Sequence, residues 1–504
     1  MAPPSTRLTP EALADIQGFV LSGYGHLSRT AYLFVQFLNG ANAQSWVRRL
    51  MPSITSARAW PVAANGEKIK PSLAVNIGFS AAGLAVMGLS GQVLGTFPAE
   101  FQEGLAHPNR SRILGDTDES DPAKWELGGP TTSPVHAVLI VHASSGPLLD
   151  EAVRTQRDLL AESAGGVVEV PASVQVGYRP EGDHEHFGFH DGIAQPAVAG
   201  LTGHGVPTGE FVLGYPNHYG IVTPTPVVPA SADVDAVLPR FANPYHAAKS
   251  LHDLGVNGTY VVYRKLQQDV AGFWAFMRRE AVLRTGTADT GQMIWLASKC
   301  LGRWPSGASL VMAPRADDPQ LADRDDFSYV GDPDGLTCPI GAHVRRSHPR
   351  DAIPPYPPAQ SLSMSEAHRL LRRARVFGSP LFDPAVLVGS DNEARWRALL
   401  EGRDDGQARG IHFFCVNASI RSQFEFVQQT WCNNPRFGGL NENKDAVIGD
   451  NGRQGGPSSH MTIPGDTRGG RTDALPRFVT VRAGVYLFMP GMTALRYLGS
   501  FRRP

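Results

Sequence analysis

Regular patterning begins at residues 31–38, AYLFVQFL, a nearly continuous apolar and aromatic run of strand length. Asn42 then stands where it can cap a helix running through Met51, which would carry Trp46 and Leu50 on one face. Residues 73–79 read as a second strand, and Ser80 supplies an N-cap for AAGLAVMGL. Residues 136–142, HAVLIVH, form a third apolar strand, followed by a helix from about 148 to 163. A segment over 167–176 closes the series, with Pro171 arguing for an edge or a break. From about 180 to 250 the pattern dissolves into a Gly-, Pro- and His-rich connection, and loops of that length in a packed protein are usually functional or disordered. The alternation then resumes. Residues 260–266 read as a strand, 270–283 and 291–301 as helices, 410–417 as a strand, 420–431 as a helix and 478–489 as a final strand.

Strand-helix-strand units of this kind predict an α+β fold with helices on one face of a sheet. The two patterned stretches on either side of the irregular connection predict two similar halves, residues 1–245 and 246–504. No short-period repeat interrupts them.

Composition narrows the function classes. The chain has 504 residues, 42% of them hydrophobic and 18% charged, which excludes global disorder. Lys plus Arg is 46 against 47 acidic residues, so broad electrostatic capture of nucleic acid or an anionic membrane is not expected. No stretch reaches the ~18 apolar residues a spanning helix needs. The four cysteines, Cys300, Cys338, Cys415 and Cys432, form no CxxC pair, and so few in so long a chain favour a reducing compartment. The N-terminal residues show no basic segment followed by an apolar run. The expectation is a cytoplasmic protein.

Three clusters could carry chemistry. The first is GDHEHFGFHDGIAQP, residues 182–196. His184, Glu185 and His186 do not match a tetrahedral zinc pattern, and a solvated, hydrogen-bonded turn explains them better. Asp191 sits between His190 and Gly192, with glycines at 188 and 192 that allow close approach of a ligand. It is either a turn-forming Asp or a proton-transfer group beside a cofactor. The second cluster is CPIGAHVRRSHPRD, residues 338–351. One Cys and two His, Cys338, His343 and His348, leave a zinc tetrahedron incomplete. A neutral imidazole beside Gly341, Ala342 and several arginines also suits axial ligation of haem iron, with guanidinium groups such as Arg345 pairing with propionates. Taken alone, a single His is more often structural. The third cluster is LLRRARVFGSP, residues 370–380, where at least one of Arg372, Arg373 and Arg375 is expected to be a solvated charge and one could face a developing anion.

Together these segments resemble one family. The GxxDG segment at 188–192, CPIGAHVRR and RRARVFG occur in the order seen in dye-decolorising (DyP-type) peroxidases. The resemblance extends over most of the chain, through DIQGFVLSGYGHL, AVNIGFSAAGLAVMGL, RILGDTDES, GEFVLGYPNHYG, NGTYVVYRKLQQDVAGFW, GRWPSGASLVMAP and HFFCVNASIRSQFEFVQQTW, and looks like the longer bacterial and fungal branch. It implies two ferredoxin-like halves arranged like a dimeric α+β barrel, holding haem b. It further implies His343 as the proximal iron ligand, Asp191 as distal acid/base and Arg372 as distal charge stabiliser. Ala374 replaces a glycine of the family pattern and Arg375 is an added cation, so Arg373 and Arg375 stand as alternatives to Arg372. The implied partners are hydrogen peroxide and an aromatic or dye-like reducing substrate, with a homo-oligomer left open. A surface relay for electrons has candidates in Trp274, Trp295, Trp304, Trp396, Trp431 and Tyr260. Two rival classes are a haem carrier or sensor, and a haem-modifying, deferrochelatase-like protein.

Overall fold

The structure is a computed structural model and describes residues 7–241, 250–389, 391–401, 403–452, 459–466 and 469–501. Eight antiparallel strands organise it: β1 (Arg29–Phe37), β2 (Leu73–Phe79), β3 (Ala137–Ala143), β4 (Gln175–Tyr178), β5 (Thr259–Gln268), β6 (Arg375–Phe377), β7 (Gly410–Asn417) and β8 (Val479–Met489). Their order is β1-β3-β2-β8-β5-β7-β6-β4, and β4 pairs back onto β1, so the sheet closes on itself. Two short strands flank this ring, Val167–Glu169 beside β1 and Leu371–Arg372 beside β7. The α+β class and barrel-like arrangement expected from the sequence are what is seen. The two halves meet where Phe79 of β2 pairs with Phe488 of β8 and Tyr178 of β4 with Val376 of β6. A boundary between residues 245 and 246 lies outside the described residues.

Side chains alternate across each strand, and that alternation sets the layers. Tyr32 and Phe34 of β1 point into the barrel, where they meet Tyr263 of β5 and Phe414 of β7. The Tyr32 and Phe414 rings stack at 4.9 Å, and Phe34 and Tyr263 lie 5.1 Å apart, so aromatic contacts bridge the halves. The alternate residues Leu33, Val35 and Phe37 face outward under helices. Trp46, Val47 and Leu50 of α1 (Gly40–Leu50), Leu84 and Met87 of α2 (Ala81–Met87) and Leu149 of α3 (Gly146–Ala161) complete that apolar layer.

On the second half the same outer layer is interrupted. Tyr260 and Val262 of β5 still join the apolar layer. Further along, Arg264, Leu266 and Gln268 of β5, Ile411 and Phe413 of β7, and Val479 and Val481 of β8 line a cavity instead. A bulge between Val481 and Ala483 marks the place where β8 changes register. Two helices, α4 (Val270–Thr285) and α5 (Thr290–Leu301), pack beside this region through Phe273, Met277 and Met293.

Two local expectations are corrected. Asn39, not Asn42, caps α1, its Oδ1 accepting from the N–H groups of Ala41 and Asn42 at 2.9 and 3.1 Å. Asn42 instead donates its side-chain amide to the Ser163 carbonyl. The helix expected over 420–431 forms over residues 421–432, but it is wound as a π-helix, with Glu425 N–H reaching back to the Ile420 carbonyl.

Candidate active site

The cavity lies against the outer wall of β5, β7 and β8 and is also lined by two sequence-predicted segments. One is the short helix α6 (His343–Ser347), which His343 begins. The His343 Nδ1 lies 2.9 Å from Asp445 Oδ2, and Asp445 is fully buried. The other Asp445 oxygen accepts from Val447 and Ile448 N–H at 2.8 and 2.9 Å. Burial opposes the charged form of His343, but the charge and hydrogen bond of Asp445 outweigh it and raise the imidazole above its ordinary value. Nδ1 is thereby committed, and Nε2 is the ring nitrogen left for the cavity that His343 lines. Nothing in the sequence distinguished Asp445 as this partner.

The other is the 183–192 loop, carrying Asp191. Its Oδ1 accepts from Arg372 Nη1 at 3.0 Å and from Gly192 N–H at 2.6 Å. Burial works against the carboxylate, yet the Arg372 guanidinium and the Gly192 N–H outweigh it and hold Asp191 below the usual range. The charge of His343 also reaches Asp191, so the two groups sense each other. The glycines of the loop serve the backbone: Gly188 and Gly192 have φ of +99° and +90°, and a Cβ at Gly188 would meet Leu387 at 2.3 Å.

Arg372 is placed by the strand it forms beside β7, where it pairs with Cys415, and by its N–H donation to Gln195 Oε1 at 3.0 Å. The other two arginines of the cluster are not solvated charges, contrary to expectation. Arg373 donates to the Phe19 and Val20 carbonyls, Arg375 to those of Gly23 and Tyr24, and both are buried. Of the three guanidiniums, the one bonded to Asp191 is that of Arg372.

A further correction concerns the setting of His343. Arg345, expected at the cofactor, is 2% exposed and turned away from the cavity, donating to Asp332 and to the Cys338 carbonyl and lying over the Tyr329 ring. Two residues along a helix is about 200°, so Arg345 and His343 leave opposite faces. Gly341 and Ala342 are small for packing reasons: a Cβ on Gly341 would crowd Met461, and Ala342 is core. Besides Arg372, the cations that line the cavity are Arg303, Arg350 and Arg369, with Arg264 and Arg477 towards β5 and β8. His348, the other histidine of that segment, also lines the cavity; burial pushes it down to about 4.

Glu185 and His186 of the same loop are hydrogen-bonded as expected but are drawn into the fold rather than solvated, whereas His184 Nε2 is buried with no hydrogen-bond partner. His186 is buried against the Phe377 carbonyl at 2.8 Å, and burial pushes it down to about 4. No cluster of three metal-ligating His, Cys, Asp or Glu side chains occurs among the described residues. Nor is any helix among them long and apolar enough to cross a membrane. Of the six relay candidates, Trp396 is the exposed one, at 49%.

Comparison with known proteins agrees with this architecture. Residues 15–176 match the DyP dimeric alpha+beta barrel domain. A dye-decolorizing peroxidase of Exidia glandulosa is 26% identical over 95% of this chain and 86% of its own length. The multifunctional dye peroxidase DyP2 of an Amycolatopsis species is 27% identical over 96% of each. The crystal structure of a fungal DyP-type peroxidase from Auricularia auricula-judae superposes with a TM-score of 0.72, covering 97% of this chain and 99% of that one at 24% identity. Kinship over nearly the whole length, on this barrel, defines a peroxidase of the oxidoreductase class. Within that class the chain is similar to the dye-decolorising (DyP-type) peroxidases.

Proposed function

We propose that the cavity holds haem b and that the protein uses hydrogen peroxide to oxidise an aromatic or dye-like donor in one-electron steps. The observation that carries this reading is the convergence of two pairs on one cavity: His343, backed by Asp445, and Asp191, bonded to Arg372. The residues fit the group. The lining is largely apolar, with Phe187, Phe189, Leu266, Phe413 and Val447 among its surfaces, and Arg303, Arg350 and Arg369 supply cations suited to propionates. His343 would hold the iron through Nε2, because Asp445 occupies Nδ1.

Haem bound here would supply the redox chemistry for reducing peroxide and oxidising organic donors one electron at a time. The chain's own residues do the rest. Asp191, ionised because Arg372 keeps it so, takes a proton from peroxide and returns it to the departing oxygen as water leaves. The Arg372 guanidinium faces the same point and stabilises negative charge there. Asp445 holds the His343 ring in one tautomer and increases its electron donation. A carrier or sensor needs neither Asp191 nor Arg372. The four buried, unpaired cysteines are in keeping with a reducing, cytoplasmic setting.

A peroxide titration of the purified holoprotein tests the reading. Rapid, stoichiometric change of the Soret band followed by return on adding a phenolic donor is expected. Slow bleaching or loss of haem would move the protein to the haem-modifying class, and an inert spectrum to a carrier or sensor.

A further inference from the structure

Three N–H donors converge on the side chain of Glu185. Its Oε1 accepts from Phe189 N–H at 3.0 Å, and its Oε2 from Phe187 N–H at 2.9 Å and from Gln268 Nε2 at 2.6 Å. The backbone closes the same knot: Glu185 N–H donates to the Phe189 carbonyl, and Asp191 N–H to that of Asp183. Gln268 belongs to β5, so Glu185 ties the loop that carries Asp191 to the rigid barrel. Glu185 and Gln268 both line the cavity that Asp191 faces. The Gln268 Oε1 is buried with no hydrogen-bond partner.

We propose that Glu185 is a positioning residue for Asp191, fastening the 183–192 loop to β5 through Gln268, and that its protonation state sets how tightly the loop is held. As a carboxylate it accepts all three donors. Once protonated, its O–H needs an acceptor, and rotation of the Gln268 amide presents the unused Oε1 while withdrawing the Nε2 donor. The tie persists in both forms but loses charge assistance in the second. Burial, helped by the Asp191 charge, outweighs the donors from Phe187, Gln268 and Phe189 and pushes Glu185 up to about 7. Asp191, held low by Arg372, stays ionised over the same range. The other charged and titratable groups on the surrounding elements include Arg372 and His343 at the same cavity, Arg264 on β5 with Asp269 just after it, Arg477 just before β8, Asp183, His184, His186 and His190 in the loop, and Arg409, whose carbonyl takes the Gln268 N–H.

The inference rests on the peroxidase reading only for the role of Asp191, so the test uses one readout that needs no peroxide. Hydrogen exchange at the Phe187 and Phe189 amides, and the rate of the peroxide-induced Soret change, are followed from mildly acid to mildly alkaline pH in the holoprotein. The wild type is expected to show both quantities bending near pH 7. Loosening of the loop should slow the peroxide step about tenfold, within the range that small misplacements cause. Glu185→Gln should abolish the bend in both readouts. Gln268→Leu should move it to higher pH, since the carboxylate loses a donor. A bend that persists unshifted in Glu185→Gln overturns the proposal. If that variant does not fold, an unshifted bend in Gln268→Leu overturns it instead. An exchange bend that follows these variants in a protein inert to peroxide keeps the loop tie and removes the peroxidase reading.

Discussion

Asp445 is fully buried, and its Oδ2 lies 2.9 Å from the Nδ1 of His343 while its Oδ1 is fixed by two backbone N–H groups. Burial disfavours its charge, but His343 and those N–H donors outweigh burial and keep Asp445 below the usual carboxylate range. It therefore acts as a permanent acceptor. That fixes His343 as the Nδ1–H tautomer, with Nε2 free to ligate and its donor strength set by the carboxylate behind it.

Replacing Asp445 with Asn should weaken this donation without emptying the site. The midpoint potential of the bound haem should rise, because the oxidised iron loses electron density, and the peroxide step should slow about ten- to a hundredfold. Spectroelectrochemical titration of the holoprotein checks the first and rapid mixing the second. An unchanged potential would show that the carboxylate only orients the ring.

Asp191→Asn and Arg372→Leu should each retain haem and slow the peroxide step by roughly a hundredfold to ten-thousandfold. Arg375→Leu should behave differently, because its guanidinium is committed to the Gly23 and Tyr24 carbonyls rather than to the cavity. It should lose stability and leave the peroxide step of the folded fraction intact. Rapid mixing together with thermal melts separates the two patterns. Full activity in Arg372→Leu with collapse in Arg375→Leu would reverse the assignment.

Strands were legible in the sequence where apolar runs were long enough to span the sheet. Residues 73–79 and 410–417 form strands with the bounds read from the pattern. The capping residue of α1 was misplaced because Asn39 and Asn42 both suit the role, and only the backbone entering the helix tells them apart. The winding of 421–432 was hidden because hydrogen-bond register depends on packing between the cavity and the barrel, not on composition. At the site, Asp191 and His343 were visible through their glycine-rich and histidine-containing segments. Asp445 lies 102 residues from His343, and no local pattern marks so distant a pairing. Arg345 was misread because sequence proximity to His343 suggested a shared face that helical geometry denies.

Arg345 should matter to stability rather than to haem. Its guanidinium satisfies Asp332 and the Cys338 carbonyl in a buried setting, and deleting it leaves Asp332 buried without its cation. Arg345→Ala should cost about 3 kcal/mol, the scale for breaking a buried pair. Haem bound per folded molecule should stay near the wild-type value, whereas His343→Ala should lose most haem or shift its spectrum. Urea unfolding of both variants with haem quantified by extraction checks this. Loss of haem from a fully stable Arg345→Ala protein would restore that arginine to the cofactor.

The last prediction concerns which group takes the peroxide proton, since His190 adjoins Asp191 and both line the cavity. The group must be deprotonated to accept a proton. Arg372 holds Asp191 below the ordinary carboxylate range, so its carboxylate persists to more acid pH than an unperturbed Asp of about 3.9 would allow. The sign follows: an Asp191 enzyme keeps its base as pH falls and loses it only when Asp191 is protonated, well on the acid side. A histidine base would be lost around 6.5. Peroxide reactivity is measured by rapid mixing across pH in wild type, His190→Ala and Glu185→Gln. The expected profile has its main midpoint well on the acid side in all three. A shallower bend near pH 7 that disappears only in Glu185→Gln belongs to the loop tie. A main midpoint near the histidine value that disappears in His190→Ala would transfer the base from Asp191 to His190.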